Sequence, residues 1–93
     1  MTQIKMKVEN LESQNGKKVV NQFEVTTSEG RFFQSYDSLI VFIPNDGSPT
    51  QLDCNFWDYS VTTSKYRNLF LGEKKDVTEK KIKDGTYLLT NLN

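Results

Sequence analysis

Histidine is absent from this chain, cysteine occurs once, proline twice, and the charged side chains sum to zero at neutral pH. Without histidine the commonest general base is missing, and with it the Ser-His-Asp and Cys-His arrangements and most zinc sites. A single thiol, Cys54, excludes an internal disulfide. No apolar run is long enough to span a bilayer and the N-terminus is not signal-like, so the expected setting is the reducing cytoplasm, with no membrane partner. Zero net charge argues against both a wholly basic nucleic-acid binder and a strongly acidic DNA mimic. The five glycines form neither GxGxxG nor GxxxxGK[ST], so no nucleotide cradle is visible, and each falls where a turn or helix end is expected.

What is present is enough for one domain, 1–93, with a modest core and little stability to spare. Residues 1–60 carry five basic and eight acidic side chains and residues 61–93 seven basic and four acidic, so the two parts are oppositely charged. The chain opens on a hairpin. A type I′ turn at Asn15-Gly16 sets Gln14 against Lys17 and then pairs Val8 with Phe23, Met6 with Val25 and Ile4 with Thr27, all on one face. Lys7 with Glu24 and Lys5 with Thr26 fall on the other face, the pattern of a half-solvated ribbon. Leu11 with Val20 breaks the pattern, either as a second small cluster or as an exposed apolar pair.

A tight turn at Glu29-Gly30 extends the apolar face through Phe32 and Tyr36. Leu39 to Ile43, short and β-branched, reads as a central strand buried on both sides. After the Pro44-Asn45-Asp46-Gly47 turn, Leu52, Cys54 and Phe56 alternate along a returning strand. Thr62 is the expected N-cap of a helix over about 63–71, with Val61 and Tyr66 as its hydrophobic staple, Tyr66, Leu69 and Phe70 as its apolar stripe and Gly72 as its left-handed stop. Thr78, between Val77 and Ile82, repeats the cap for a second short helix over about 79–84, and 87–92 reads as a last strand. The fold class is α+β, a small antiparallel sheet of about five or six strands with these two helices.

The stretches GRFFQSYDSLIV, WDYS, TTSKYRN and FLGE, spanning about Gly30 to Glu73, with a weaker echo in KKI and GTYLLTNL, resemble a family of small, mostly uncharacterised proteins encoded by bacteriophages and prophages. The resemblance implies a viral or mobile-element origin and action in the host cytoplasm. It carries over no catalytic, cofactor or metal-binding residue.

From the residues themselves no enzyme is expected, and no cofactor. Cys54 reads as a buried, inert thiol beside Leu52 and Phe56. Asp53 and Asp58 flank the only Trp, Trp57, without a cation-binding spacing, and read as solvated acids, Asp58 with a favourable place near a helix N-terminus. Phe32, Phe33, Tyr36, Phe56, Trp57 and Tyr59 suit a core better than a base-stacking platform. Phe33, pointing opposite Phe32, is the aromatic expected at the surface. Lys65, Arg67, Lys80, Lys81 and Lys83 are the remaining candidates for contact with a partner, although a solvated helix face looks the same in sequence. Two functions follow. The first is a binding protein that contacts and modulates or inhibits a host or phage protein. The second is an accessory nucleic-acid-binding domain that uses the late basic cluster and exposed aromatics. Exposed strand edges also allow a homodimer.

Overall fold

A computed structural model describes residues 6–13 and 15–93. Six strands, β1 (Lys7–Glu12), β2 (Lys18–Thr26), β3 (Gly30–Ser35), β4 (Ser38–Pro44), β5 (Gln51–Asp53) and β6 (Leu88–Thr90), lie side by side in chain order. Two helices, α1 (Val61–Leu71) and α2 (Lys75–Lys83), connect β5 to β6. Neighbouring strands are antiparallel except the last pair, because β6 runs parallel to β5. The sheet is therefore mixed, where the sequence reading expected it antiparallel throughout. Parallel neighbours need a crossover connection, and the two helices supply it.

The first hairpin closes one residue earlier than the type I′ reading. Ser13 N donates to Lys17 O and Gly16 N to Ser13 O, with Gly16 at φ 75°, the left-handed position of a longer loop. The strands then pair Val8 with Val25 and Asn10 with Phe23, with an irregularity between Asn10 and Glu12. The expected Ile4–Thr27, Lys5–Thr26 and Gln14–Lys17 pairs lie outside the described residues. At the next turn Thr27 N bonds to Gly30 O, again one residue early, so Val25 faces Phe32 and Phe23 faces Gln34. The one-residue shift in the second turn moves its register by two, and in the first hairpin the early closure and the irregularity between Asn10 and Glu12 together give a net displacement of two. Since strand faces alternate with period two, both slips leave every side chain on its expected face. Tyr36 is the exception. It sits at φ 54° beyond the end of β3, its N–H on Asn21 O, with its side chain exposed. Leu11 packs against the core while Val20 is exposed, so they do not form a pair.

β4 occupies the middle of the sheet, as its composition foretold. An irregularity opposite Phe33 and Gln34 lets consecutive residues Ile40 and Val41 both be buried. With Phe33, Leu52 and Tyr87 they form the core, against which Trp57, Tyr66, Phe70, Leu71 and Ile82 pack. Gly30 must be glycine because a Cβ there would collide with the Ile43 carbonyl oxygen and the Phe42 ring.

Both helices begin earlier than expected. Ser60, with extended backbone, caps α1, its Oγ accepting from Thr63 N at 3.1 Å, while Val61 lies inside the helix and is 88% exposed. Thr62 is not the cap and the staple does not form. Gly72, at φ 72°, ends the helix by donating to Asn68 O, as its position predicts. The buried residues of α1 are Thr63 and Arg67, four apart, with Tyr66 and Phe70 on the same side; Leu69 is exposed, so the inner stripe is rotated from the expected one. α2 begins after Lys74, and Thr78 is a buried residue within it.

Candidate functional site

Phe33 and Arg67, two of the residues picked out for a partner, belong to the interior. Phe33 is 0% exposed and stacks on Phe70 with ring centroids 5.7 Å apart. It points away from Phe32 as expected, but that direction leads under the helices. Arg67 is also fully buried. Its Nη1 donates to Trp57 O at 2.6 Å and to Ser64 Oγ at 3.3 Å, and its Nη2 to Asn68 Oδ1 at 2.9 Å. The guanidinium lies 5.2 Å from the Trp57 ring centroid and 3.6 Å from Asp58 Oδ1. Burial lowers its pKa and Asp58 opposes that shift, yet an arginine stays protonated at any ordinary pH. Asp58 also accepts from Ser64 Oγ at 2.9 Å and pairs with Lys75 at 2.8 Å. The Lys75 bond is the chief reason its pKa is lowered. This group fastens the β5–α1 loop to both helices.

A second group fastens α2. Glu73, one-tenth exposed, accepts from Lys81 Nζ at 2.7 Å, Thr78 Oγ1 at 2.7 Å and Tyr87 OH at 2.9 Å. Burial alone would raise its pKa, but the three donors outweigh burial and lower it. Lys81 is consequently committed to an internal ion pair, and its own pKa is raised by Glu73. Asp53 departs from the reading as a solvated acid. It is fully buried and its carboxylate accepts from the backbone N–H of Asn55, Phe56 and Leu92 at 2.8–3.0 Å. Burial pushes its pKa up, and these donors bring it below the ordinary value. Cys54, expected inside, is exposed because β5 ends at Asp53 and the chain turns there.

Lys65, Lys80 and Lys83 remain exposed, the first 5.4 Å from the Tyr66 ring on α1 and the other two on α2. The predicted basic cluster is thus divided between two helices, with Lys75 and Lys81 neutralised by carboxylates. The aromatics are dispersed as well: Phe32 stacks on Phe42 at 4.4 Å, Phe33 on Phe70, and Phe56 meets Tyr59 edge-on. Among the described residues no group of three Cys, Asp or Glu side chains is placed to hold a metal ion.

The feature that the sequence reading mislocated is the open side of the sheet. Val8, Val25, Phe32 and Phe42 follow one another across four strands by register, all on the side opposite Phe33 and Val41. Met6, Phe23 and Leu39 join Val8, Val25 and Phe32 around a depression of about 400 Å3, whose polar members among the described residues are Thr27 and Gln34. Val8 is 56% and Met6 63% exposed, Phe23, Phe32, Leu39 and Phe42 are half-buried, and Val25 is buried. None of its lining residues carries a charge. Its signal was in the sequence as the alternating Met6, Val8, Phe23, Val25, Phe32 set, which was grouped correctly and assigned to the interior.

A mixed sheet with two crossover helices on one face and an apolar second face places the protein among small two-layer α+β domains. The chain belongs to a family of unknown function (DUF8033), whose sequence profile matches residues 6–85. No curated protein and no solved structure matches it. Among the described residues no helix is long and apolar enough to cross a membrane.

Proposed function

We propose that this chain is a small binding protein that acts without catalysis, by contact with another protein in the cytoplasm of a bacterial host. The observation that supports this reading is the uncharged apolar face of the sheet, a surface of the kind that proteins bury against proteins. The polar groups of the chain point the same way, since Asp53, Asp58, Glu73 and Arg67 are all engaged in holding loops and helices. The resemblance to phage and prophage proteins gives the proposal its setting: a phage-encoded chain that modulates or inhibits a host or phage protein.

Affinity capture from the cytoplasm of a phage host, with the parent chain and a Val8→Lys variant side by side, tests the reading. A protein retained by the parent and lost by the variant supports it. Binding to nucleic acid that is tight at low salt, falls steeply as salt rises and is abolished by charge reversal at Lys80 and Lys83 would replace it.

A further inference from the structure

Strand β1 lies at the margin of the sheet, with β2 along one side and no described strand along the other. Backbone groups on such an outer side are a template for another strand, and the side chains decide which strand fits. Lys7 and Glu9 point to the side of the sheet opposite Val8 and stay 73% and 57% exposed, 3.2 Å from each other along the strand. Across the ladder Lys7 faces Thr26, but Glu9 faces Glu24, and like charges directly opposite are destabilising. Glu24 is answered by Arg31 at 3.3 Å. Glu9 thus has no opposite charge facing it from β2.

Charged edges ordinarily deter pairing, because an incoming strand leaves the charges unmatched. A second β1 matches them. Two copies of one strand that pair antiparallel have their two-fold axis through a residue, because facing residues must both direct their backbone groups toward the partner or both away from it. With the axis at Val8, Lys7 faces the partner's Glu9, Glu9 faces the partner's Lys7, and Met6 faces the partner's Asn10. With the axis at Lys7 or at Glu9, like charges meet on it. With the axis at Asn10, Lys7 faces the partner's Ser13 and Glu9 faces the partner's Leu11, so neither charge is matched.

We propose that two copies of this chain join antiparallel through the outer edge of β1, with the two-fold axis at Val8, so that the sheet of one copy continues into the other. Each Glu9 then stands between Glu24 of its own chain and the partner's Lys7, which offsets the repulsion within the monomer. On the other side of the sheet Val8 meets the partner's Val8, and the open faces of the two copies become one surface. The joint goes beyond the proposed binding function and leaves its face uncovered, doubling the apolar band that a target meets.

Sedimentation from about 1 μM to about 1 mM, the span of weak association, tests this with the parent and three charge variants. The parent's mass should rise from 10.8 kDa toward twice that value as it is concentrated. Lys7→Glu and Glu9→Lys should each weaken the dimer roughly tenfold or more, because both symmetric pairs turn from attraction to repulsion. The double exchange, Lys7→Glu with Glu9→Lys, should restore it, since opposite charges face each other again. Loss of fold does not give this pattern. In Glu9→Lys the new attraction to Glu24 offsets the lost Lys7 pair, so its melting temperature should stay level while its dimer weakens.

Cross-linking locates the axis. In a Cys54→Ser background, Val8→Cys sets two thiols at a Cα separation of about 4.5–5.5 Å, within disulfide reach, whereas Met6→Cys sets them about 13 Å apart. Diamide should link the first variant into a dimer and leave the second unlinked. A parent that stays monomeric throughout the range overturns the proposal, as does a dimer unmoved by the single reversals, a double exchange as weak as either single one, or Met6→Cys linking as readily as Val8→Cys. The Lys7 and Glu9 variants leave the open face as it is, so the two readings fail separately. A monomeric parent that retains a host protein sensitive to Val8→Lys overturns the joint and leaves the binding function standing; a charge-paired dimer that retains no such protein upholds the joint and removes the binding function.

Discussion

On the helical side of the sheet Arg67, Thr63, Thr78, Ser35 and Gln22 are buried beside the core residues Phe33, Ile40, Val41 and Leu52, while the other side carries Val8, Phe23, Val25, Phe32 and Phe42. The covered side thus holds the core together with most of the buried polar groups. It tolerates those groups because most are matched: Ser35 and Thr63 share a hydrogen bond at 3.0 Å, Ser60 joins Thr63 at 3.1 Å, and Arg67 has three acceptors. The match is incomplete, since Arg67 Nε and both amide atoms of Gln22 have no hydrogen-bond partner among the described residues. Apolar side chains lie on both faces, so hydrophobicity alone does not decide which face the helices take. The parallel pairing of β5 and β6 does, because a crossover between parallel strands has a strongly preferred hand, and that hand selects a side of the sheet.

If the faces differ in this way, paired substitutions on one strand separate them. Phe33→Ala should cost about 3–5 kcal/mol, a large part of the stability of a domain this size, since the ring is wholly buried against Phe70. Phe32→Ala, half-buried on the open face, should cost about 1–2 kcal/mol, chiefly through its lost stacking on Phe42. Chemical denaturation of the two variants gives the comparison. Equal losses would mean that the open face is as much a core as the covered one.

Arg67→Met is the sharper probe of the covered face, because it keeps most of the side-chain volume and removes the guanidinium. The Trp57 carbonyl and the Asn68 side chain lose their donor, so the variant should be less stable by about 2 kcal/mol. A variant as stable as the parent would show that the interior takes an apolar chain equally well at this point. The charge would then serve specificity and not stability.

Acid should weaken the groups that hold the loops and helices in place. Asp53, Asp58 and Glu73 all have lowered folded-state pKa values, so each contributes stability that is complete above its unfolded value, about 4, and is lost as pH falls through the folded value. Melting temperature should hold steady from about pH 5 upward and drop below about pH 4. A melting temperature that stays level down to about pH 3 would show that these carboxylates add nothing to the fold's stability.

Much of this arrangement was legible in the residues. Alternation grouped Met6, Val8, Phe23, Val25 and Phe32 correctly, and two register slips left the grouping intact because each was by two. The composition of 39–43 identified the central strand, and Gly72 the end of α1. Which face turned inward was not legible, because that depends on β6 lying parallel to β5, a pairing between segments more than thirty residues apart. Arg67 was missed for a related reason: charge normally marks the outer side of a helix. Its spacing from Thr63 and Phe70, together with the chain's only tryptophan nearby, was the signal that it belonged to the inner stripe.

The smallest effect concerns the start of α1, where the covered face meets solvent. Three hydroxyl residues, Ser60, Thr62 and Thr63, stand within four positions, and sequence pattern favours Thr62 as the cap because Val61 and Tyr66 flank it as a staple. In the structure Ser60 Oγ accepts from Thr63 N at 3.1 Å, and Thr63 is turned inward to Ser35, so the three hydroxyls have three different roles. Ser60→Ala should cost about 1 kcal/mol by leaving the Thr63 N–H without its acceptor. Thr62→Ala, at an exposed position within the first turn, should change stability by less than about 0.5 kcal/mol. Thr63→Val keeps the shape and removes the hydroxyl; since Ser35 and Ser60 would both lose a buried partner, it should cost as much as the cap or slightly more. Thermal melts of the three variants rank them, and a Thr62 variant that loses more than the Ser60 one would move the helix start two residues along the chain and restore the staple.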